Sequence, residues 1–502
     1  MPLADYHRRA AVAASQVIAG FDEQLFEAAL GNTRIGIALG RDAAETREGR
    51  ALADLAVRLL ARLYPTVAFL SGPGAEALST ELSTLARAVN PNITITDHAT
   101  LGIAIGLDAP TFERTFHAGS DAWTALLSCR TPQPVGDSAI PFGAGAAACF
   151  AAAAVFRTVL IGEMDPVSDD LTVSCLDGID PITASDIPED GWALPGPTVL
   201  VGCGAVGQAA VWALGRSPLR GDLELVDHES VELSNMQRYV LTTRADENAG
   251  KAELAARTPT DGLVLTPRPH EWASFTATHG YRWETALVAV DSATARRAVQ
   301  ASLPGWIANA WTQPGDLGVS THAFRTDACL SCLYLPTGQT PSEDAVVASA
   351  LGINPLVAEV RTLLHSRAPV PPPLLDAIAT GLGIARDALT RFEGRPIREL
   401  YVEGICGGGV IPLGQTGHPP QDVHVPLAHQ SALAGVLLAA RLVRRTAGID
   451  PGGTQITGFD VLRSPAPYPT RPALKDSRGT CVCQDPDYLR VYQEKWLAKS
   501  VD

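Results

Sequence analysis

The chain has 502 residues, 46% of them hydrophobic and 19% charged, which supplies ample apolar material for large cores and lacks the signature of disorder. At roughly 100–200 residues per domain, that length predicts two to four domains. A formal net charge of −15 argues against nucleic acid as the main partner, because phosphate backbones are held by basic surfaces, yet it leaves room for a local basic pocket.

The first segment, 1–165, reads as an α/β domain. Its N-terminus holds Asp5, Arg8 and Arg9 and has no apolar core of signal-peptide length. Residues 34–39 and 66–70 have strand character, 45–63 and 75–89 have helical spacing, and 93–96 form another short strand. Such alternation predicts parallel strands covered by helices. Gly72-Pro73-Gly74 lacks a third glycine in register and reads as a turn. Residues 142–161 are apolar but Ala/Gly-rich and interrupted by Arg157, so they predict a buried helix and no membrane span. The Asp- and Pro-rich stretch 166–195 reads as a linker.

A strand at 198–201 then runs into Gly202-Cys203-Gly204-Ala205-Val206-Gly207 and a helix over 208–214. In this G-x-G-x-x-G pattern Gly202 permits a tight turn, Gly204 lets the backbone approach a phosphate, and Gly207 lets the helix pack against the strand. The helix N-terminus, beginning at Ala205, offers free N–H groups to an anion. A second strand, 223–226, ends at Asp227, where a ribose hydroxyl would be bound, and a later one, 286–290, ends at Asp291. These features alone predict a Rossmann-type nucleotide site, with an NAD-dependent oxidoreductase as the default.

The run from Asp227 through Glu229 and Asn235-Met236-Gln237-Arg238 resembles the D-x-D-x(5)-N-L-x-R signature of the ThiF/MoeB and ubiquitin-activating superfamily. Lys251, in Gly250-Lys251-Ala252, resembles that family's conserved lysine; Asp291-Ser292, followed by Arg296 and Arg297, resembles its D-N/S-x-x-x-R segment. The resemblance implies a Rossmann-like adenylation domain with a mostly parallel sheet over 196–463, carrying a helical insertion at 333–400, with helices at 344–364 and 374–389. A degenerate α/β half would precede it, and a tail, 464–502, would follow. It implies ATP and Mg²⁺ as cofactors. Adenylation joins a carboxylate to the α-phosphate and expels pyrophosphate, so Arg238 and Lys251 would neutralise the phosphates. Asp291 would ligate Mg²⁺, Asn235 would orient phosphate or metal-bound water, and Gln237 would assist. Glu229 stands where the family's ribose-binding acid does, one methylene longer.

Nine cysteines without a secretory signal predict reduced thiols in the cytoplasm, some of them metal ligands. Cys329-x-x-Cys332 and Cys481-x-Cys483 together suit tetrahedral zinc; free tail thiols or a redox pair are the alternatives. Relatives carry C-x-x-C twice, so the second pair departs from the pattern. Cys406, in Gly404-Ile405-Cys406-Gly407-Gly408-Gly409, resembles a cysteine segment that in some relatives serves sulfur or thioester chemistry and in others is inert. Cys203 reads as a packed side chain, and Cys129, Cys149 and Cys175 carry no signal. His418, His424 and His429 read as loop or cap residues rather than a metal site. No nucleophile elbow, H-E-x-x-H or P-loop pattern is present.

The family pairs its adenylation domains, here as a homodimer or an intrachain pseudo-dimer. Tyr6-His7-Arg8-Arg9 resembles the segment that carries an arginine across that interface. The implied partner is a ubiquitin-like or sulfur-carrier protein with a flexible C-terminal tail, whose carboxylate is adenylated before thioester or sulfur transfer. Adenylation of a ribosomal peptide is the alternative within the family.

Overall fold

The computed structural model describes residues 3–162, 170–176, 187–188, 190–313, 316–336, 342–406, 425–450, 452–462, 464–467 and 470–497. Two helices, α1 (His7–Ser15) and α2 (Glu23–Asn32), precede the first sheet. That sheet holds β1 (Ile35–Leu39), β2 (Thr66–Ser71), β3 (Thr94–Thr96), β4 (Leu101–Ile105), β5 (Arg114–Asp121), β6 (Thr124–Ser128) and β7 (Asp170–Ser174) in the order β3-β2-β1-β4-β5-β6-β7. The strands from β3 to β5 are parallel, and β6 and β7 are added antiparallel. Helices α3 (Arg41–Glu45), α4 (Arg47–Leu63) and α5 (Glu76–Val89) make the early crossovers, and α6 (Phe142–Phe156) joins β6 to β7. Strand β1 is buried along its whole length, as a sheet covered on both faces requires.

The second sheet repeats this plan. It contains β8 (Trp192–Ala193), β9 (Thr198–Val201), β10 (Leu219–Val226), β11 (Leu263–Arg268), β12 (Thr285–Val288), β13 (Trp306–Gln313), β14 (Asp316–His322), β15 (Gln455–Asp460), β16 (Ser464–Pro467) and β17 (Arg471–Pro472). Its order is β11-β10-β9-β12-β13-β14-β15-β16, parallel from β11 to β13 and antiparallel thereafter. Helices α7 (Ala205–Leu214), α8 (Lys251–Ala256), α9 (Trp272–His279) and α10 (Ala293–Ala301) lie between the parallel strands. Beyond β14 come α11 (Leu330–Leu333), the insertion helices α12 (Glu343–Ala350), α13 (Val357–Ser366), α14 (Pro372–Leu382) and α15 (Ile397–Glu399), then α16 (Ala428–Thr446) and the closing α17 (Pro486–Trp496). Each half is therefore an α/β unit of one topology, with α6 and α16 in matching places between antiparallel strands.

Helices α4, α6, α16 and α7 pack together between the sheets. Small residues make this possible. A Cβ on Gly435 would stand 2.3 Å from the Val206 carbonyl oxygen, so only glycine lets α16 approach α7 this closely. Among the described residues, the one helix long and apolar enough to cross a membrane, Phe142–Ile161, has 78% of its most apolar window buried. It is the central core helix, continued as a π-turn from Arg157 to Ile161.

Several sequence expectations shift. The stretch read as linker contributes β7 to the first sheet and β8 beside β10. The helix expected over 344–364 breaks after Ala350 because Gly352 has φ +69° and Pro355 cannot donate to a continuing helix. The next ends at Leu382, where Gly383 adopts the left-handed cap conformation.

Candidate nucleotide site and cysteine cluster

The glycine loop leaves β9 at the point where strand order reverses between β9 and β12, the place where a crevice opens in sheets of this kind. Gly202 has φ +95°, and a Cβ on Gly207 would stand 2.0 Å from the Gly202 carbonyl oxygen. Helix α7 starts from Gly204 with no side-chain cap and no acidic residue in its first turn, so its N–H groups, Ala205 among them, remain available to an anion.

The expected residues gather round this loop by different routes. Asp227 directly follows β10 and accepts from the backbone N–H of Cys203 at 2.7 Å and of Glu229 at 2.9 Å, so it braces the loop. Burial raises its carboxyl pKa against the opposing pull of Lys251 and those two donors. Lys251 opens α8, is 6% exposed, and places its Nζ 2.5 Å from Glu229 Oε2. Burial works against its ammonium, yet Tyr239, Glu229 and Asp227 raise its pKa above the ordinary lysine value. The longer Glu229 is therefore engaged with the lysine, which holds its carboxyl below the usual range despite desolvation.

Arg238 donates to the Ser234 carbonyl at 3.5 Å, and no carboxylate among the described residues lies in ion-pair range of it. Burial lowers its pKa, opposed by Tyr239, Glu232 and Asp291. Asp291 is exposed three residues beyond β12, within electrostatic reach of Arg238 and Arg296. Asn235 uses its side-chain oxygen to cap its own turn, accepting from Glu232 N at 3.1 Å. Gln237 is not brought to the loop: it is 2% exposed, donates to the Pro426 carbonyl at 3.3 Å and lines an internal cavity with His429, Tyr64 and Arg62. Arg296 braces β13 through Asn309 and Ala310.

Tyr239 is the residue that motif reading missed. Its ring lies 5.4 Å from Lys251 Nζ and 5.5 Å from the Arg238 guanidinium, and its hydroxyl faces Gly204. A buried aromatic flanked by two cations had no signal in the sequence beyond adjacency to Arg238.

Cys329, Cys332, Cys481 and Cys483 converge, with all four sulfurs within 4.8 Å of one another. Three pairs lie at 3.3–3.5 Å, far beyond a disulfide bond and close to the edge of about 3.8 Å expected for a tetrahedron with Zn–S near 2.3 Å. The set fits a tetrahedral cation such as zinc. It ties the tail to the α11 segment beside Phe324 and Tyr492. The backbone of Cys406 ends a π-turn, Leu400–Cys406; its side chain, with His418 and His424, lies outside the described residues. His429 is a core residue beside Phe156, 5.5 Å between rings. Cys149, Cys175 and Cys203 are buried, and burial pushes the Cys203 thiol up. In the N-terminal segment, Arg8 is exposed near Glu23 and Arg9 is buried in α1.

Residues 197–355, which contain every element of this loop site, match the model of the ThiF family. Residues 197–355 are a domain of the ThiF/MoeB superfamily. Residues 38–161 match a second model, prokaryotic E2 family C, so a domain of that type precedes the ThiF-family domain. The whole chain is 42% identical over 512 residues to the uncharacterized protein y4jF of Sinorhizobium fredii, covering 99% of this chain and 98% of that protein. Similar solved structures include E. coli MccB with MccA-N7isoASN, at 13% identity and TM-score 0.36 over 58% of this chain and 67% of that one. E. coli MccB with ATP gives 13% identity and TM-score 0.35 over 58% and 68%. ATP use and an adenylyltransferase-like activity fit the ThiF family.

Proposed function

We propose that this ThiF-family protein adenylates the C-terminal carboxylate of a ubiquitin-like or sulfur-carrier protein. The observation that carries the reading is the pair of cations, Arg238 and Lys251, flanking Tyr239 beside an uncapped helix N-terminus. A triphosphate approaching α7 meets N–H dipoles first and then these two charges, which neutralise the negative charge that builds as pyrophosphate departs. Asp291 would offer a hard oxygen to Mg²⁺, which would supply charge neutralisation at the phosphates. Arg238 lacks a carboxylate partner among the described residues, so its charge is open to the nucleotide. Lys251 would exchange Glu229 for phosphate, freeing Glu229 for the ribose. Asn235 keeps its amide for phosphate or water; Gln237, turned toward the core, acts at most through Arg238. An NAD oxidoreductase would leave the two cations without work.

Helices α4, α6, α16 and α7 support an intrachain pseudo-dimer in which the N-terminal half is the non-catalytic partner. The match to a prokaryotic E2 family model in the same chain favours a ubiquitin-like substrate over a free peptide. Cys406 would then receive the activated acyl group as a thioester, releasing AMP. The four cysteines would hold zinc as a structural clamp, and thiols in this state suit a reducing, cytoplasmic setting. Incubation with candidate Gly-Gly-ending proteins and labelled pyrophosphate tests this: exchange into ATP that vanishes when the tail is deleted supports it, and exchange indifferent to the tail refutes the substrate.

A further inference from the structure

The segment that follows Arg238 is held from the other half of the molecule. Helix α4 carries Asp54, Arg58 and Arg62 at four-residue spacing, and so on one face. Asp54 Oδ2 accepts from Arg58 Nε at 2.9 Å, from Trp212 Nε1 at 2.7 Å and from Arg216 Nη2 at 3.2 Å, which anchors the ladder to α7. Arg58 Nη1 donates to the Val240 carbonyl at 2.9 Å. Arg62, 2% exposed, donates to the Tyr239 carbonyl, to the Thr242 carbonyl at 2.6 Å and to Thr242 Oγ1 at 3.2 Å. From α7, Gln208 Oε1 accepts from Leu241 N at 3.2 Å. Two arginines from another domain thus serve carbonyls of a buried run without regular structure: losing Arg58 strips the Val240 carbonyl of its donor and losing Arg62 that of Thr242, whereas the Tyr239 carbonyl keeps Thr242 N and Oγ1.

We propose that Arg58 and Arg62 are positioning residues for the nucleotide site: they fix the main chain at Tyr239–Thr242 and so hold Tyr239 and Arg238 against the glycine loop. The inference rests on the nucleotide reading of that loop. It makes the N-terminal half part of the site's construction, although none of its side chains need touch the nucleotide.

The test uses the full chain, Mg·ATP binding by calorimetry and amide hydrogen exchange. Arg62→Met keeps the bulk of the stem and removes the donors. It should weaken Mg·ATP binding by about ten-fold or more and speed exchange in 239–243 by a similar factor. Arg62→Lys restores one charged donor and should recover both within about three-fold. Trp212→Phe, which removes the Asp54 hydrogen bond and part of the indole packing under Arg216 but leaves both arginine–carbonyl contacts in place, should lower the melting temperature and leave ATP affinity unchanged. Faster exchange in 239–243 with unchanged ATP affinity in Arg62→Met would overturn the proposal. So would unchanged exchange, or loss of affinity in all three variants in step with their melting temperatures. Wild-type chain that binds no Mg·ATP would refute the nucleotide reading itself, and this inference with it.

Discussion

At the residue scale, burial decides how side chains behave. His429 sits in the first turn of α16 with its pKa lowered to about 3, by desolvation first and by the Arg157 charge next. An unfolded histidine titrates near 6.5, so below that pH the unfolded chain takes up a proton that the folded chain refuses. Stability therefore falls with acidification, by up to about 1.4 kcal/mol per pH unit for this one group, from pH 6.5 down toward its folded pKa. His429→Phe removes that proton from the balance. Urea unfolding of wild type should lose stability more steeply than the variant between pH 6.5 and 5; equal slopes would show that His429 is not held neutral. The glycines and Asp227 were legible because each obeys a rigid backbone demand. Tyr239 was not, since an aromatic in an apolar run reads as core until its neighbours are known. Gln237 misled for the opposite reason: motif adjacency says nothing about which way a side chain turns.

At the element scale, the cysteine cluster joins pieces distant in sequence. Cys329 caps the short α11 and Cys332 lies within it, while Cys481 and Cys483 stand just before α17. Lys495 and Trp496 of α17 donate to the carbonyls of Ser302 and Leu303 at the end of α10, at 2.8–2.9 Å. The purified protein should carry about one zinc per chain, and Cys483→Ser should remove it. Loss of metal should lower the melting temperature and red-shift the emission of Trp496, whose packing depends on the clamp. Metal-free protein of unchanged stability would reduce the cluster to packed thiols. Each cysteine pair was visible in the sequence; their union was not, because no local pattern specifies which distant segments meet. Helix ends in the insertion were missed where Gly352, Pro355 and Gly383 cut through continuous apolar spacing.

At the scale of the whole molecule, the two halves share a topology but treat their crevices differently. Strand β4 ends at Ile105 as β12 ends at Val288, so Asp108 stands at the same offset beyond its strand as Asp291 does. That equivalence was not legible beforehand because the first half lacks the glycine fingerprint that anchors an alignment. Asp108 accepts from Arg41 N at 2.8 Å, and Asp42 accepts from Ala43 N at 3.1 Å and Leu107 N at 3.2 Å. The chain's own carboxylates thus occupy the N–H groups that a phosphate would seek. Calorimetric titration should give one Mg·ATP per chain; two would contradict a plugged N-terminal crevice. Three strands of each parallel core, β1 to β3 in the first half and β9, β10 and β12 in the second, were legible from apolar runs, whereas β4 to β7, β11 and β13 were not, their pairing set by tertiary contact.

The central claim is that the loop at 202–207, with Arg238, Lys251 and Asp291, activates a carboxylate with ATP. Carboxylate-dependent exchange of labelled pyrophosphate into ATP, compared between wild type and Asp291→Asn, tests it most directly. Exchange by wild type that falls about a hundred-fold or more in the folded variant is the predicted result. Exchange indifferent to Asp291, or wild type that is silent toward ATP but reduces NAD, would contradict it.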